Sequence, residues 1–151
     1  MIGVGDTLPK VTLLDDEGRM VDTSSFVGAP LVLYFYPKDD TPGCTSEASQ
    51  FRDIYRAFER KGAKIVGVSR DPVLSHQKFK AKYKIPFALL SDTESELCNA
   101  CGVLVEKNMY GKKRIGVARA TFLFDASGKV VALWPKVSVD GHAEEVLAAI
   151  S

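Results

Sequence analysis

The segment at positions 31–36, Leu-Val-Leu-Tyr-Phe-Tyr, constrains the fold of this chain more than any other. It is rich in strand-forming residues, holds no charged side chain and stands between Pro30 and Pro37. A strand with one face in water alternates apolar and polar residues, whereas a continuous apolar run indicates a strand covered on both faces. The run is also far shorter than the roughly 20 residues of a membrane-spanning helix. The segment therefore predicts the central strand of a sheet with helices packed on both sides.

The other apolar residues alternate between helical and strand patterns along the chain. We predict helices at residues 41–61, 71–83, 92–101 and 141–150, and further strands at residues 64–69, 87–90, 120–125 and 130–137. The turn signal at residues 125–128, Asp-Ala-Ser-Gly, predicts that the last two strands pair as an antiparallel hairpin. This order predicts an α/β protein with a thioredoxin-like fold, in which helices flank a central mixed β-sheet. Since no linker-like stretch interrupts the chain, we expect residues 1–151 to form a single domain.

Charge and cysteine content exclude several classes of protein. Twenty Lys and Arg balance 19 Asp and Glu, so the chain lacks the positive excess that nucleic-acid binding requires. The N-terminus has no basic head followed by an apolar stretch, which argues against a signal peptide. Three cysteines are too few for a disulfide scaffold, and no His, Cys or acidic cluster has the spacing of a metal site. We therefore expect a cytoplasmic protein that binds neither membrane nor nucleic acid and needs no metal or cofactor.

The segment around Cys44 is the most informative one for chemistry. The central strand ends at Pro37, a short loop follows, and Thr41-Pro42 has the character of a helix start. Cys44 then falls in the first helical turn, where free N–H groups and the helix dipole favour an anion. A cysteine at such a position is stabilised as the nucleophilic thiolate. The Thr41 hydroxyl lies one turn back and can form a hydrogen bond at the same place.

These residues resemble a known family. The sequence Pro-Lys-Asp-Asp-Thr-Pro-Gly-Cys at 37–44 resembles the P-x-x-x-T-x-x-C signature of peroxiredoxins, and in particular their bacterioferritin-comigratory (PrxQ) branch. The segments at 67–71, 90–92, 106–112 and 119–125 are similar to that branch as well, in the same order. The resemblance thus extends over nearly the whole chain. It implies a thiol-dependent peroxidase that reduces hydrogen peroxide and organic hydroperoxides, and a monomer.

The resemblance also implies roles for individual residues. Cys44 would be the peroxidatic cysteine, which attacks the O–O bond and becomes a sulfenic acid. Thr41 would hydrogen-bond the peroxide and help to hold the thiolate. Arg119 would stabilise the thiolate and orient the peroxide.

A second group of residues would form the substrate pocket. Pro37 and Pro42 would shape it and shield the thiolate from water, and the N–H groups of Gly43 and Cys44 would polarise the peroxide oxygens. We expect Glu47, one helical turn after Cys44, to hold the side chain of Arg119 in place. An ordinary solvated helix glutamate is the alternative reading of Glu47.

The chain departs from the family pattern at the resolving cysteine. Many members carry that cysteine five residues after the first, where this chain has Ser49, or in the following helix, where residues 71–83 contain no cysteine. The remaining thiols, Cys98 and Cys101, stand inside a predicted helix and at the spacing of buried packing residues. A resolving role for either one is the less favoured reading. We therefore predict a one-cysteine cycle in which an external thiol, from thioredoxin, glutaredoxin or a small molecule, reduces Cys44.

Two other functions remain open from the sequence. A disulfide oxidoreductase of the thioredoxin type would use Cys98 and Cys101, although its C-x-x-C normally stands at a helix N-terminus directly after a strand. A redox-sensing binding protein would use oxidised Cys44 to change its affinity for a partner.

Other conspicuous residues favour ordinary roles. We expect His76 and His142 to be surface residues and Arg52 to have a surface or structural role. The five basic side chains within residues 106–119 predict a solvated loop.

Overall fold

The computed structural model describes residues 1–108 and 110–151 in full and residue 109 by its backbone. The β-strands are β1 (Thr12–Asp15), β2 (Met20–Asp22), β3 (Leu31–Phe35), β4 (Lys64–Ser69), β5 (Ala88–Ser91), β6 (Leu104–Met109), β7 (Lys112–Val117), β8 (Ala120–Phe124) and β9 (Val130–Trp134). The α-helices are α1 (Pro42–Asp53), α2 (Tyr55–Arg60), α3 (Val73–Tyr83), α4 (Glu96–Cys101) and α5 (His142–Ala149). A short 3-10 helix covers Thr23–Phe26. None of the helices among these residues has the length and apolar character needed to cross a membrane.

Seven strands form one mixed sheet in the order β2-β1-β5-β4-β3-β8-β9. The inner strands β3, β4 and β5 run parallel, and β8 lies antiparallel to β3. The turn at residues 125–128 joins β8 to β9 as an antiparallel pair, as predicted. The mixed sheet expected from the sequence is therefore confirmed.

The two faces of the central strand β3 bury separate parts of the core. Leu31, Leu33 and Phe35 pack on one face together with α4, and each is 1% exposed or less. The alternate residues Val32 and Tyr34 pack on the other face, against α1, α2, α3 and α5. Since successive side chains of a strand point to opposite faces, the continuous apolar run serves both layers, as its composition indicated.

Residues 106–119 correct one expectation from the sequence. Most of them belong to β6 and β7, which form a separate two-stranded antiparallel hairpin and not a loop. The expected contact with solvent is present, since residues 112–115 are exposed. The turn between the strands places Tyr110 and Gly111 at φ of +54° and +76°, the left-handed values of a two-residue hairpin turn. Tyrosine rarely adopts this backbone conformation, so the turn has no strong signal in the sequence.

Two predicted helices also differ from the structure in their extent. The helix predicted at 41–61 is divided into α1 and α2 at Ile54, whose ψ of 20° departs from the helical value. The helix predicted from residue 92 begins at Glu96. Asp92 lies before it and accepts hydrogen bonds from the N–H groups of Leu97 and Cys98, at 3.2 and 2.7 Å. A buried aspartate thus satisfies the free N–H groups of the short helix α4.

Candidate active site

Cys44 lies in the first turn of α1, directly beyond the end of the central strand. Thr41 is the N-cap residue and Pro42 begins the helix, as the sequence predicted. Cys44 is only 1% exposed and packs with the core on the α1 face of the sheet. The thiol is therefore largely sheltered from water at the positive end of a helix dipole.

Arg119 contacts Cys44 from the position directly before β8. Its Nη2 lies 3.3 Å from Cys44 Sγ, although the two residues are 75 positions apart. The register of the sheet explains this contact, because β8 pairs with β3 so that Ala120 stands opposite Phe35. Arg119 immediately precedes β8 and therefore lies beside the end of β3, where α1 begins. The side chain of Arg119 is 19% exposed, so the site opens to solvent on its side.

Glu47 holds the other end of the same guanidinium. Its Oε1 accepts a hydrogen bond from Arg119 Nη1 at 2.8 Å, and its side chain is 1% exposed. Cys44 and Glu47 are one helical turn apart and so share a face of α1. The contact predicted between Glu47 and Arg119 is present, and the alternative of a solvated glutamate is wrong.

Burial and charge act in opposite directions on Glu47 and Arg119. Burial raises the pKa of Glu47 to about 7, although the charge and the hydrogen bond of Arg119 act to lower it. Its second oxygen, Oε2, is buried and has no hydrogen-bond partner among the described residues. Burial alone would lower the pKa of Arg119, but its contacts with Cys44 and Glu47 outweigh burial and raise it. The guanidinium therefore stays charged beside the sulfur.

Gly43 leaves the space that Arg119 occupies. A Cβ atom at this position would lie 3.0 Å from Arg119 Nη2, closer than ordinary carbon–nitrogen contact. The glycine of the motif is therefore explained by the close approach of the guanidinium to the backbone of α1.

The hydroxyl of Thr41 points back into the preceding loop. Thr41 Oγ1 donates a hydrogen bond to the carbonyl of Lys38 at 2.8 Å, and it forms no cap bond to the helix backbone. Because this bond uses its hydrogen, the oxygen can only accept a further hydrogen bond. Pro37 and Pro42 flank this loop, half-buried and exposed respectively.

Cys98 and Cys101 lie on the opposite face of the sheet from Cys44. Both belong to α4 and to the core layer of Leu33 and Phe35, and both are 0% exposed. Burial raises the pKa of Cys98, assisted by Asp92, and burial raises the pKa of Cys101 to about 12. A disulfide requires Cα atoms within about 7 Å, whereas here the central sheet lies between these thiols and Cys44.

The expectation that both histidines are surface residues is wrong. His76 is 0% exposed and His142 is 3% exposed, because each finds a polar partner inside the protein. Arg52 has the structural role expected of it, since its Nη1 donates a hydrogen bond to the carbonyl of Tyr83 at 2.7 Å. The partner of His76 is Asp39, which lies 37 positions away in the loop before α1. No local pattern of the sequence marks that pair, because its members belong to different elements.

Known proteins are similar to this chain over most of its length. The sequence profile of the AhpC/TSA family matches residues 4–133. The putative peroxiredoxin Bcp of Coxiella burnetii is 49% identical to this chain over 149 residues, which are 99% of each chain. Peroxiredoxin Bcp of Bacillus subtilis is 44% identical over 149 residues, which are 99% of this chain and 95% of that protein.

A solved structure is also similar to this chain, both in sequence and in fold. The bacterioferritin comigratory protein of Xanthomonas campestris, studied for its alkyl peroxide reduction activity, has a TM-score of 0.89 and 48% identity to this chain. The match covers 93% of this chain and 89% of that one. The likeness confirms the thioredoxin-like α/β fold predicted from the sequence.

Proposed function

Because this chain belongs to the AhpC/TSA family, we propose that Cys44 is the residue that attacks the peroxide. The chain is a thiol peroxidase of the peroxiredoxin type, which uses a peroxide substrate and a thiol reductant. One observation carries the assignment: Arg119 Nη2 lies 3.3 Å from Cys44 Sγ at the start of α1. A fixed positive charge and a helix N-terminus both favour the thiolate, which is the reactive form of cysteine.

The first step transfers one peroxide oxygen to sulfur. The Cys44 thiolate attacks that oxygen, so that an S–O bond forms as the O–O bond breaks. The other oxygen leaves with the electron pair and takes up a proton as water or an alcohol. Cys44 is oxidised to the sulfenic acid, and the peroxide is reduced.

The groups around Cys44 stabilise the negative charge that grows on the departing oxygen. Thr45 N–H is bonded to the Thr41 carbonyl at 2.8 Å, and the N–H groups of Gly43 and Cys44 precede it in the helix. Unlike the N–H of Thr45, the N–H groups of Gly43 and Cys44 have no partner within the helix, so they are available to the peroxide oxygens. Preorganised donors of this kind lower the barrier where charge develops.

Thr41 orients the peroxide, and Glu47 orients the guanidinium of Arg119 beside the sulfur. With its hydrogen donated to Lys38, the Thr41 hydroxyl accepts the hydrogen of the peroxide and so orients it. Glu47 fixes one arm of Arg119 and leaves the other arm for the sulfur and the peroxide. Pro37 and Pro42 limit the access of water to the site.

An external thiol completes the cycle. A thiol of thioredoxin, glutaredoxin or a small molecule displaces water from the Cys44 sulfenic acid and forms a mixed disulfide. A second thiol then releases Cys44 and leaves as part of a disulfide. Two features support a one-cysteine cycle: Ser49 occupies the usual resolving position on α1, and Cys98 and Cys101 lie on the far face of the sheet.

The proposal also covers the substrates, the location and the oligomeric state of the protein. We assign hydrogen peroxide and alkyl hydroperoxides as substrates, the latter by analogy with the Xanthomonas protein. The protein would act as a cytoplasmic monomer.

Stopped-flow kinetics on matched cysteine variants tests the proposal. The wild type and the double variant Cys98→Ala/Cys101→Ala should react with hydrogen peroxide at the same rate, orders of magnitude faster than free cysteine. Cys44→Ser should lose the reaction, because a serine hydroxyl is not ionised near neutral pH. A fast reaction that survives Cys44→Ser would contradict the assignment and point to the C-x-x-C pair. A wild-type rate no faster than that of free cysteine would favour the redox-sensing alternative.

A further inference from the structure

A histidine and an aspartate form a buried pair behind the loop that leads into α1. His76 of α3 is 0% exposed, the side chain of Asp39 is 3% exposed, and His76 Nδ1 lies 2.7 Å from Asp39 Oδ2. Neither residue contacts Cys44 or Arg119 by any hydrogen bond found among the described residues. Burial of two ionisable groups is costly unless their contacts repay it, so this pair requires an explanation.

The hydrogen bonds of the pair connect His76 to two other elements of the fold. His76 Nε2 is 3.0 Å from the carbonyl oxygen of Leu90, and since a carbonyl only accepts, Nε2 carries a hydrogen. The other ring nitrogen, Nδ1, is hydrogen-bonded to Asp39 Oδ2 at 2.7 Å. His76 therefore links the carbonyl of Leu90 in β5 to the carboxyl group of Asp39 through both of its ring nitrogens.

Asp39 is further fixed by neutral donors on both sides. Tyr36 OH donates to its Oδ1 at 2.6 Å, and Ser75 Oγ donates to its Oδ2 at 2.8 Å. The backbone N–H of Asp39 donates to Asp71 Oδ2 at 2.9 Å. The carboxylate thus joins the end of β3, the loop and the start of α3 at one point.

The loop between Asp39 and Cys44 is short and is attached to α3 at a second point. Asp40 has a left-handed φ of +56°, and its carboxylate binds Lys82 and Tyr83 near the end of α3. Thr41 Oγ1 donates to the carbonyl of Lys38, the residue directly before Asp39. A displacement of Asp39 would therefore move the carbonyl that orients the Thr41 hydroxyl.

We propose that Asp39 and His76 are a positioning pair for the peroxide reaction, which hold Thr41 and the first turn of α1 in place beside the Cys44 sulfur. The inference rests on the proposed function of Cys44 and adds residues to it that touch neither substrate nor sulfur. The pair acts through the loop: His76 anchors Asp39 to α3, and Asp39 fixes the backbone from which Thr41 projects. A displacement on the order of 1 Å at a catalytic group can cost about 100-fold in rate.

Two reagents separate positioning from a general loss of structure. Hydrogen peroxide needs the oriented hydroxyl and N–H donors, whereas iodoacetamide needs only an accessible thiolate. For His76→Gln and Asp39→Asn, we expect the rate constant with hydrogen peroxide to fall about 10- to 100-fold. The alkylation rate of Cys44 by iodoacetamide at the same pH should change by less than about threefold. The ratio of the two rate constants is the readout that a merely structural role would leave unchanged.

The second buried histidine provides a matched control. His142 is 3% exposed and its Nε2 lies 2.8 Å from Thr121 Oγ1, but it belongs to α5 and has no bond to the loop. His142→Gln should lower the thermal midpoint without changing the rate ratio. If His142→Gln changes the ratio as much as His76→Gln does, or if neither loop variant changes it, the proposal is wrong.

A milder variant provides a second test if the buried pair cannot be replaced without unfolding the protein. Tyr36→Phe removes one neutral donor to Asp39 and retains the ring in the core, and a severalfold fall in the rate ratio is expected. An unchanged ratio in a folded Tyr36→Phe protein, together with unfolded pair variants, would overturn the proposal. Failure of the proposed function would appear differently, as a wild type that reacts with hydrogen peroxide no faster than free cysteine.

Discussion

The two faces of the central sheet hold the same type of side chain in opposite electrostatic settings. On one face, Cys44 lies at a helix start with the guanidinium of Arg119 3.3 Å from its sulfur. On the other face, Cys98 and Cys101 are equally buried but lie among aliphatic and aromatic side chains, and at Cys98 the carboxylate of Asp92 outweighs the opposing charge of Arg70. All three thiols are 1% exposed or less, so burial alone does not distinguish them.

The comparison shows that the sign of the neighbouring charge decides what a buried thiol can do. Burial disfavours every thiolate, and only a positive partner or a helix N-terminus offsets that cost. Cys44 has both. Cys98 also stands in the first turn of its helix, but the carboxylate of Asp92 accepts the free N–H groups there, and Cys101 is the last residue of α4. Asp92 raises the pKa of both thiols in addition to burial.

Removing the positive charge of Arg119 should remove most of the difference in reactivity between Cys44 and the thiols of the other face. Arg119→Ala is expected to slow the reaction of Cys44 with hydrogen peroxide by about 100- to 1,000-fold, the usual effect of losing one preorganised donor. Arg52→Ala is the matched control, because Arg52 donates to a carbonyl from the same helix but does not contact the sulfur. An Arg119→Ala enzyme that reacts at the wild-type rate would show that the helix start alone sets the contrast.

Glu47 should make the stability of the Cys44 face depend on pH. Its folded-state pKa of about 7 is higher than the ordinary 4.5, so the folded chain holds the proton more tightly than the unfolded chain. The stability from this proton is complete below pH 4.5 and is lost as the pH rises through about 7. Glu47→Gln keeps an acceptor for Arg119 and has no proton to lose. Between pH 4.5 and pH 8, the free energy of unfolding of Glu47→Gln should therefore rise relative to that of the wild type by on the order of 3 kcal/mol.

Urea unfolding of both proteins across that pH range provides the measurement. Curves of unfolding free energy against pH that run parallel for the wild type and Glu47→Gln would contradict the assignment of this proton to Glu47.

A smaller change should weaken the contact without removing the charge. In Gly43→Ala the new methyl group would lie 3.0 Å from Arg119 Nη2, so the guanidinium must shift by a few tenths of an ångström. We expect the peroxide rate to fall by about tenfold, since the pocket tolerates little displacement. Gly3→Ala is the control, because its added Cβ meets no atom within 4 Å. Equal rates for Gly43→Ala and the wild type would mean that the geometry of this contact is not critical.

The smallest effect on activity is expected on the other face. Cys98→Ala/Cys101→Ala should reduce the free energy of unfolding by about 1 kcal/mol for each sulfur removed from the core, with no change in peroxidase rate. An insulin reduction assay on Cys44→Ser should show no activity. Insulin reduction that survives Cys44→Ser and disappears in the double variant would establish the disulfide oxidoreductase alternative.

The sequence predicts those parts of the fold that depend on local pattern. The strands β3, β4 and β8 are recognisable because they are buried on both faces and read as continuous apolar runs. The place of Cys44 follows from the Thr-Pro helix start, and the roles that we propose for Cys44 and Arg119 are those that the family resemblance implies. The turn at Tyr110 could not be predicted, because its left-handed backbone contradicts the usual preference of tyrosine.

Contacts between distant residues could not be predicted by the same means. The contact between Arg119 and Glu47 is predicted only through the family resemblance, because local pattern does not reveal the register of β8 against β3 that places Ala120 opposite Phe35. The burial of His76 depends on Asp39, its partner in another element. A polar side chain gives no sign of burial in its own neighbourhood, since the group that satisfies it is supplied by the tertiary fold.

The central claim is that Cys44, and neither thiol of the other face, is the site of oxidation. The most direct test is mass spectrometry of the fully reduced wild type after one equivalent of hydrogen peroxide with dimedone present. The account predicts a single dimedone adduct, mapped to Cys44, with Cys98 and Cys101 still reduced. A loss of two hydrogens without an adduct, with the disulfide mapped to Cys98 or Cys101, would contradict it.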